Sequence, residues 1–193
     1  MLEIIKNHEE RIALEPIAQK HVEPMASLAG NPKILDRMLF KPQPFTVKDA
    51  QDFVARAQNS DPLDLLSYAI VDRLTREFLG VTSISVKPNH IIPSFGYWLG
   101  EQHWNKGLAS ETVGVVVRDV LPEFRFAMLR AGCEIDNLAS QRVLEKNGFK
   151  PQETAPLHIG DQKTIDIKWY QINLAPYNGY TAKDAKEDIT NSL

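Results

Sequence analysis

Two stretches of the chain place chemistry-bearing residues at informative spacing. In the first, Gly96-Tyr97-Trp98-Leu99 is followed by Trp104-Asn105-Lys106-Gly107-Leu108-Ala109-Ser110-Glu111. An apolar run that reads as a strand enters a short polar turn, and the turn opens onto a helix. The first amides of a helix have no intrahelical acceptor, and the aligned peptide dipoles favour negative charge at that end. Gly107 lets a bound group approach the backbone with no side chain in the way. These are the parts of a pyrophosphate site and equally of a plain strand-to-helix turn, and the residues alone leave both open. The lysine precedes the glycine and no G-x-x-x-x-G-K-[ST] occurs, so the turn is not a P-loop; nor is it a dinucleotide G-x-G-x-x-G.

The second stretch is Asn137-Leu138-Ala139-Ser140-Gln141-Arg142-Val143-Leu144-Glu145-Lys146-Asn147-Gly148-Phe149. Read alone it is a capped amphipathic helix, with Asn137 as N-cap and Asn147-Gly148 as the stop. Cys133 precedes it on an apolar run; as the single cysteine it can form no internal disulfide, and it reads as packing rather than as a nucleophile. The five histidines (His8, His21, His90, His103, His158) are scattered without metal-ligand spacing, so no metal is expected. His103, next to the turn, either touches a phosphate or is merely exposed.

These groups need elements to position them. Residues 11–18 read as a first strand and 21–29 as a short helix with Pro24 in its first turn. Residues 31–45 carry three prolines and read as a loop with one helical turn around 34–38. Thr46 caps a helix that should end near residues 60–62. Residues 66–72, 78–86 and 94–99 form an expected β-meander. Residues 107–121 carry Ala109, Val113, Val116, Val117 and Val120 on one face, a helix ended by Pro122. A buried strand over 128–134, the helix at 137–147 and a late strand over 164–174 complete the order. Residues 1–175 should be one domain, and the polar tail 176–193 loosely ordered.

Together the two stretches resemble the acetyl-coenzyme A signature of the GNAT superfamily, in particular the branch of the ribosomal-protein-alanine N-acetyltransferases. Trp104, Gly107 and Ala109 occupy the defining places of an R/Q-x-x-G-x-G/A turn that often begins with Trp in this branch. Residues 137–149 match N-x-x-S-x-x-V-L-E-K-x-G-F at every fixed letter, and a weaker similarity runs over about residues 11–174. The resemblance implies an α/β (α+β) fold: a mixed, mostly antiparallel twisted sheet of about six or seven strands flanked by about four helices, its fourth and fifth strands splayed.

It also implies acetyl-CoA as cosubstrate and no metal. The amides of Asn105, Lys106, Gly107, Leu108, Ala109 and Ser110 should cradle the pyrophosphate, with Lys106 adding charge. The pantetheine arm should lie between strands 94–99 and 128–134, against backbone groups of Trp98 and Leu99, one of which would stabilise the oxyanion. Asn137 should bind the arm, and Ser140 should protonate the leaving thiolate. Relatives carry a glutamate where this chain has Ser94, so the base is assigned to Glu134, with His90 as the other candidate. Residues 31–45 and a loop over 153–163 should face the acceptor, with Phe40, Phe45 and Trp169 either lining its pocket or belonging to the core.

The expected activity is direct acetyl transfer to an amine, a protein N-terminus or a small molecule, in a ternary complex. A thiol titrates near ~8.5 and leaves easily; an α-amine at ~7.7–8.0 is partly neutral already, whereas a lysine at ~10.4 is not. The alternative on the same fold is a catalytically silent acyl-CoA-binding sensor or subunit, which the serine at position 94 suggests. A formal net charge of -3 argues against a nucleic-acid partner. The absence of an apolar leader or membrane-length apolar run points to a cytoplasmic protein, as monomer or homodimer.

Overall fold

The run Leu65–Asp72 is almost wholly apolar and meets Phe78–Ser85 across a short turn. The Asp72 carboxylate caps that turn by accepting the N–H groups of Leu74 (2.9 Å) and Thr75 (2.8 Å), and Arg76 closes it with φ 63°. This hairpin is the centre of the architecture. The computed structural model describes residues 10–38, 44–61, 64–85, 93–124, 126–159 and 163–174. His90, Phe40 and the tail 176–193 lie outside the described residues.

The strands are β1 (Ile12–Pro16), β2 (Leu65–Asp72), β3 (Phe78–Ser85), β4 (Ser94–Leu99), β5 (Met128–Glu134), β6 (Lys150–Ile159) and β7 (Lys163–Asn173). The helices are α1 (Val22–Ala29), α2 (Pro32–Leu35), α3 (Val47–Asn59), α4 (Leu108–Val115) and α5 (Leu138–Lys146). One seven-stranded sheet runs β1-β2-β3-β4-β5-β7-β6, antiparallel except at β4 and β5. Because strand side chains alternate between faces, the sheet buries two cores. Leu14, Tyr68, Ile70, Phe95, Leu129, Ala131 and Tyr170 pack under α4 and α5, while Ala13, Ala69, Val71, Phe78 and Val81 pack under α1 and α3.

The helix expected over 107–121 ends earlier. Pro122 has no N–H to donate and its ring excludes the carbonyl of Arg118, so after Val115 the chain widens into a π-turn (Val116–Val120) and then tightens into a 3-10 turn (Leu121–Glu123). The loop expected over 153–163 is a larger correction. Residues Lys150–Ile159 form β6, paired with β7 from Lys150↔Gln171 to Ile159↔Lys163. β6 accommodates Pro151 and Pro156 because it lies at the sheet edge, where a proline N–H position turned to solvent costs no ladder bond. Phe45 is 7% exposed and belongs to the α1–α3 core rather than to a pocket.

Phe149, the last fixed letter of the second motif, is 1% exposed and stacks on Phe95 at 6.1 Å between ring centroids. It anchors the α5–β6 junction under the sheet. Phe149→Ala should therefore cost about 3–5 kcal/mol of stability, read as a lower denaturant midpoint at unchanged m-value. A loss below about 1 kcal/mol would show that the junction is held by other contacts.

Candidate active site

The parallel pair β4–β5 sets the geometry. Among the described residues its register consists of Ser94↔Arg130 and Phe95↔Ala131, whereas β4 stays paired with β3 as far as Gly80↔Leu99 and β5 with β7 as far as Glu134↔Ile167. From Gly96 onward a slot therefore opens between two strands that each remain anchored on the other side. The Gly100 N–H bonds the Leu79 carbonyl (2.8 Å), which fixes the alternation along β4. The backbone groups of Gly96 and Trp98 face β3, and those of Tyr97 and Leu99 face the slot. Trp98 accordingly places its ring edge-on to Phe78 (6.1 Å) in the α1–α3 core, and the Leu99 carbonyl accepts the Trp104 indole N–H (2.8 Å).

That indole bond ties the end of β4 to the turn before α4. The turn is built from two left-handed residues, Asn105 (φ 59°) and Gly107 (φ 80°), and such alternation turns successive N–H groups to one side as an anion-binding concavity. Gly107 takes the N-cap place, and the first helical bond is Glu111 N–H to Gly107 O (3.1 Å). The amides of Leu108, Ala109 and Ser110 are thus without helical acceptors. Ser110 Oγ accepts from the Asn147 side-chain amide (3.1 Å), which joins α4 to the end of α5. Glu111 binds the Arg11 guanidinium (2.9 and 2.8 Å) and the N–H of Ile12 (3.2 Å), fastening α4 to β1.

At the other end of the slot, Asn137 caps α5 by accepting the Ser140 N–H (3.2 Å). The Ser140 hydroxyl pairs with the Tyr97 hydroxyl at 3.1 Å. Burial pushes the Tyr97 phenol up to about 12, the Cys133 charge adding to the effect and the Ser140 bond opposing it, so it remains a donor. Cys133 faces the same place; burial raises its thiol, which suits packing and not attack. Tyr97 was not among the residues singled out from sequence. Its signal was there: Phe95, Tyr97 and Leu99 alternate toward α5, and the tyrosine is the polar one.

Glu134 does not stand free. Its carboxylate accepts from Arg37 (2.9 Å), which also binds Asp136, and the guanidinium hydrogen bond holds the Asp136 carboxyl below its usual range. Lys33 and Asn31 likewise bind Glu101, and Lys33 lowers its pKa. Trp169 lies between Gly132, where a methyl carbon would meet its ring at 2.8 Å, and Arg130, 4.2 Å above the ring centroid and paired with Glu153. His103 is buried under the turn, 6% exposed, and burial lowers its pKa. Among the described residues, none but its chain neighbours lies within 4 Å of where a methyl carbon at Gly96 would stand. Among the described residues no group of three or more His, Cys, Asp or Glu could hold a metal ion, and no helix is long and apolar enough to cross a membrane.

The acetyltransferase (GNAT) domain model matches residues 11–150. The chain belongs to the GNAT acetyltransferase family. This GNAT chain is 28% identical over 153 residues to the ribosomal-protein-serine acetyltransferase of Escherichia coli (strain K12), covering 77% of the chain and 84% of that protein. A Salmonella typhimurium acetyltransferase that modifies the N-terminal serine of a 50S ribosomal subunit protein matches with a TM-score of 0.72 at 21% identity, over 90% of this chain and 100% of that one. The spermidine N-acetyltransferase from Vibrio cholerae, in complex with CoA and spermine, matches at 0.73 and 12%, over 86% and 98%. At those identities the two structures speak for the GNAT fold.

Because the Trp104 indole carries the bond between turn and strand, Trp104→Phe should cost about 1 kcal/mol and speed amide exchange across residues 104–110. Unchanged exchange would mean that the turn holds its shape without the Leu99 carbonyl.

Proposed function

We propose that this GNAT protein is an acetyl-CoA-dependent N-acetyltransferase of the cytoplasm whose acceptor is an α-amine, such as a protein N-terminus. The observation that carries the reading is the slot: a β4 edge parted from β5, with the Leu99 carbonyl tied to Trp104, opening at one end on the turn 104–110 and at the other on the Tyr97–Ser140 hydroxyl pair. Its three parts match the three parts of an acyl-CoA. The amides from Asn105 to Ser110, with Lys106 beside them, take the pyrophosphate. The slot-facing backbone groups of Tyr97 and the N–H of Leu99 take the pantetheine arm as an added strand would, with Asn137 at its side. One of their N–H groups takes the developing oxyanion.

The amine nitrogen attacks the thioester carbonyl, the carbon–sulfur bond breaks, and the thiolate leaves beside Ser140 and Tyr97. A phenol at about 12 holds its proton against a thiolate of ~8.5. The pair therefore stabilises the sulfur by hydrogen bonds, and the proton that completes CoA comes from the amine through solvent. The Glu134 carboxylate is engaged by Arg37, so the attacking nitrogen has to be largely neutral on arrival. An α-amine of ~7.7–8.0 meets that condition and a lysine of ~10.4 does not. The carboxylates Glu101, Glu134, Asp136 and Glu153 are each bound to a cation of this chain, which disfavours a polyamine. Cys133 as a free buried thiol fits a reducing compartment.

Thiol release should be seen with peptides of varied N-terminus and not with spermidine. The rate, kcat/KM, should rise with pH through the α-amine pKa of ~8 as the ammonium loses its proton, and should show no falling limb from Tyr97 below pH ~10. Ser140→Ala should lower kcat by about 10²-fold with little change in acetyl-CoA affinity, and Tyr97→Phe should act in the same direction. CoA binding in calorimetry without turnover of any amine would favour the silent sensor; spermidine turnover above that of peptides would overturn the acceptor class.

A further inference from the structure

β4 runs against β3 without a register shift from Ser94 to Leu99; the irregularity beside the slot lies one strand away. The register of β2 and β3 shifts at Ile70/Val71: Ile70 faces Gly80 and Val71 faces Phe78, so Leu79 is an extra residue on β3. A bulge of this kind bends its strand and increases the local twist. It sits opposite the last pair of β3 with β4, Gly80↔Leu99.

At the same place the backbone of β4 comes down onto β3. A methyl carbon at Gly80 would run into the Trp98 carbonyl oxygen and stand 2.9 Å from both that carbonyl's carbon and the Leu99 Cα. These are backbone atoms, which cannot turn aside as a flexible side chain can. Three further bonds hold β4 in this lean: Gly100 N–H to Leu79 O (2.8 Å), Thr82 Oγ1 to Gly96 O (3.2 Å), and the Trp98 ring against Phe78. The Thr82 bond falls on the residue where pairing with β5 stops.

We propose that the Leu79–Gly80 bulge of β3 is the positioning device that sets the width of the acyl-CoA slot. The bare Cα of Gly80 admits the Trp98 carbonyl, the bulge draws the end of β4 toward β3, and β5 cannot follow because β7 holds it. A side chain at position 80 pushes β4 back toward β5 and narrows the space for the pantetheine arm. The turn 104–110 lies beyond the narrowed region, so the nucleotide end of the cosubstrate keeps its site. This inference rests on the acetyl-CoA reading above.

The test compares Gly80→Ala with wild type by calorimetry, using CoA and 3′-phospho-ADP, the nucleotide half of CoA without the arm. The expected result is a loss of CoA affinity of about tenfold or more with 3′-phospho-ADP affinity unchanged, in a protein that still melts cooperatively. A general structural defect would weaken both ligands alike, and that result, or unchanged CoA affinity, overturns the proposal. If Gly80→Ala does not fold, Thr82→Val carries the test. There a fall in CoA affinity of about threefold with the nucleotide half unaffected supports the device, and no fall overturns it. A wild-type protein that binds neither ligand would instead sink the acetyl-CoA reading, and the slot argument with it.

Discussion

A β-strand has two edges, and β4 over its last four residues uses only one. Its hydrogen bonds go to β3 as far as Leu99, while its other edge separates from β5 after Phe95. In most sheets an unpaired edge in the middle would close, because buried N–H and C=O groups without partners are costly. Here both flanking strands are held from outside, β4 by β3 and β5 by β7, so neither can move across. The gap that results is an acceptor and donor row waiting for a third chain-like object, and the rest of the site is arranged around its two ends.

At one end, the Trp104 indole and the Arg11–Glu111 pair fix the turn and α4 to β4 and β1. At the other, Asn137 orients the first turn of α5 so that Ser140 meets Tyr97. The two helices are joined in turn by Asn147 and Ser110. Both motif stretches are therefore parts of one rigid frame around the slot, which is what catalysis by positioning requires. In the proposed reaction the chemistry asked of the side chains is small, since a thiolate is a good leaving group and an α-amine a ready nucleophile.

The surface beside the slot is organised by ion pairs. Arg37 reaches from the end of α2 to Glu134 and Asp136, and Arg130 lies over Trp169 while pairing with Glu153. Exposed pairs of this type add little stability. Their effect is to tie α2, β5 and β6 to one another beside the slot.

Much of this was legible in the sequence because it is local. The strand runs 66–72 and 78–86, the Thr46 cap, the glycine of the turn at 107 and the helix from Asn137 to Asn147 each follow from residues a few positions apart, and the two motifs pointed to the family before any contact was known. Other features depend on neighbours remote in sequence. The segment read as a loop over 153–163 is largely strand β6, whose prolines Pro151 and Pro156 are tolerated at the sheet edge. Glu134 read as a free base until folding brought Arg37, 97 residues away, onto its carboxylate. Tyr97 became a functional candidate when α5 placed Ser140 against it, and Gly80 acquired its meaning from the Trp98 carbonyl across the strand pair. Backbone propensity and motif spacing act along the chain, so the sequence by itself determined the elements and the family; the slot and its charge pairing are matters of which strands and side chains meet across the sheet, and those the tertiary structure alone decided.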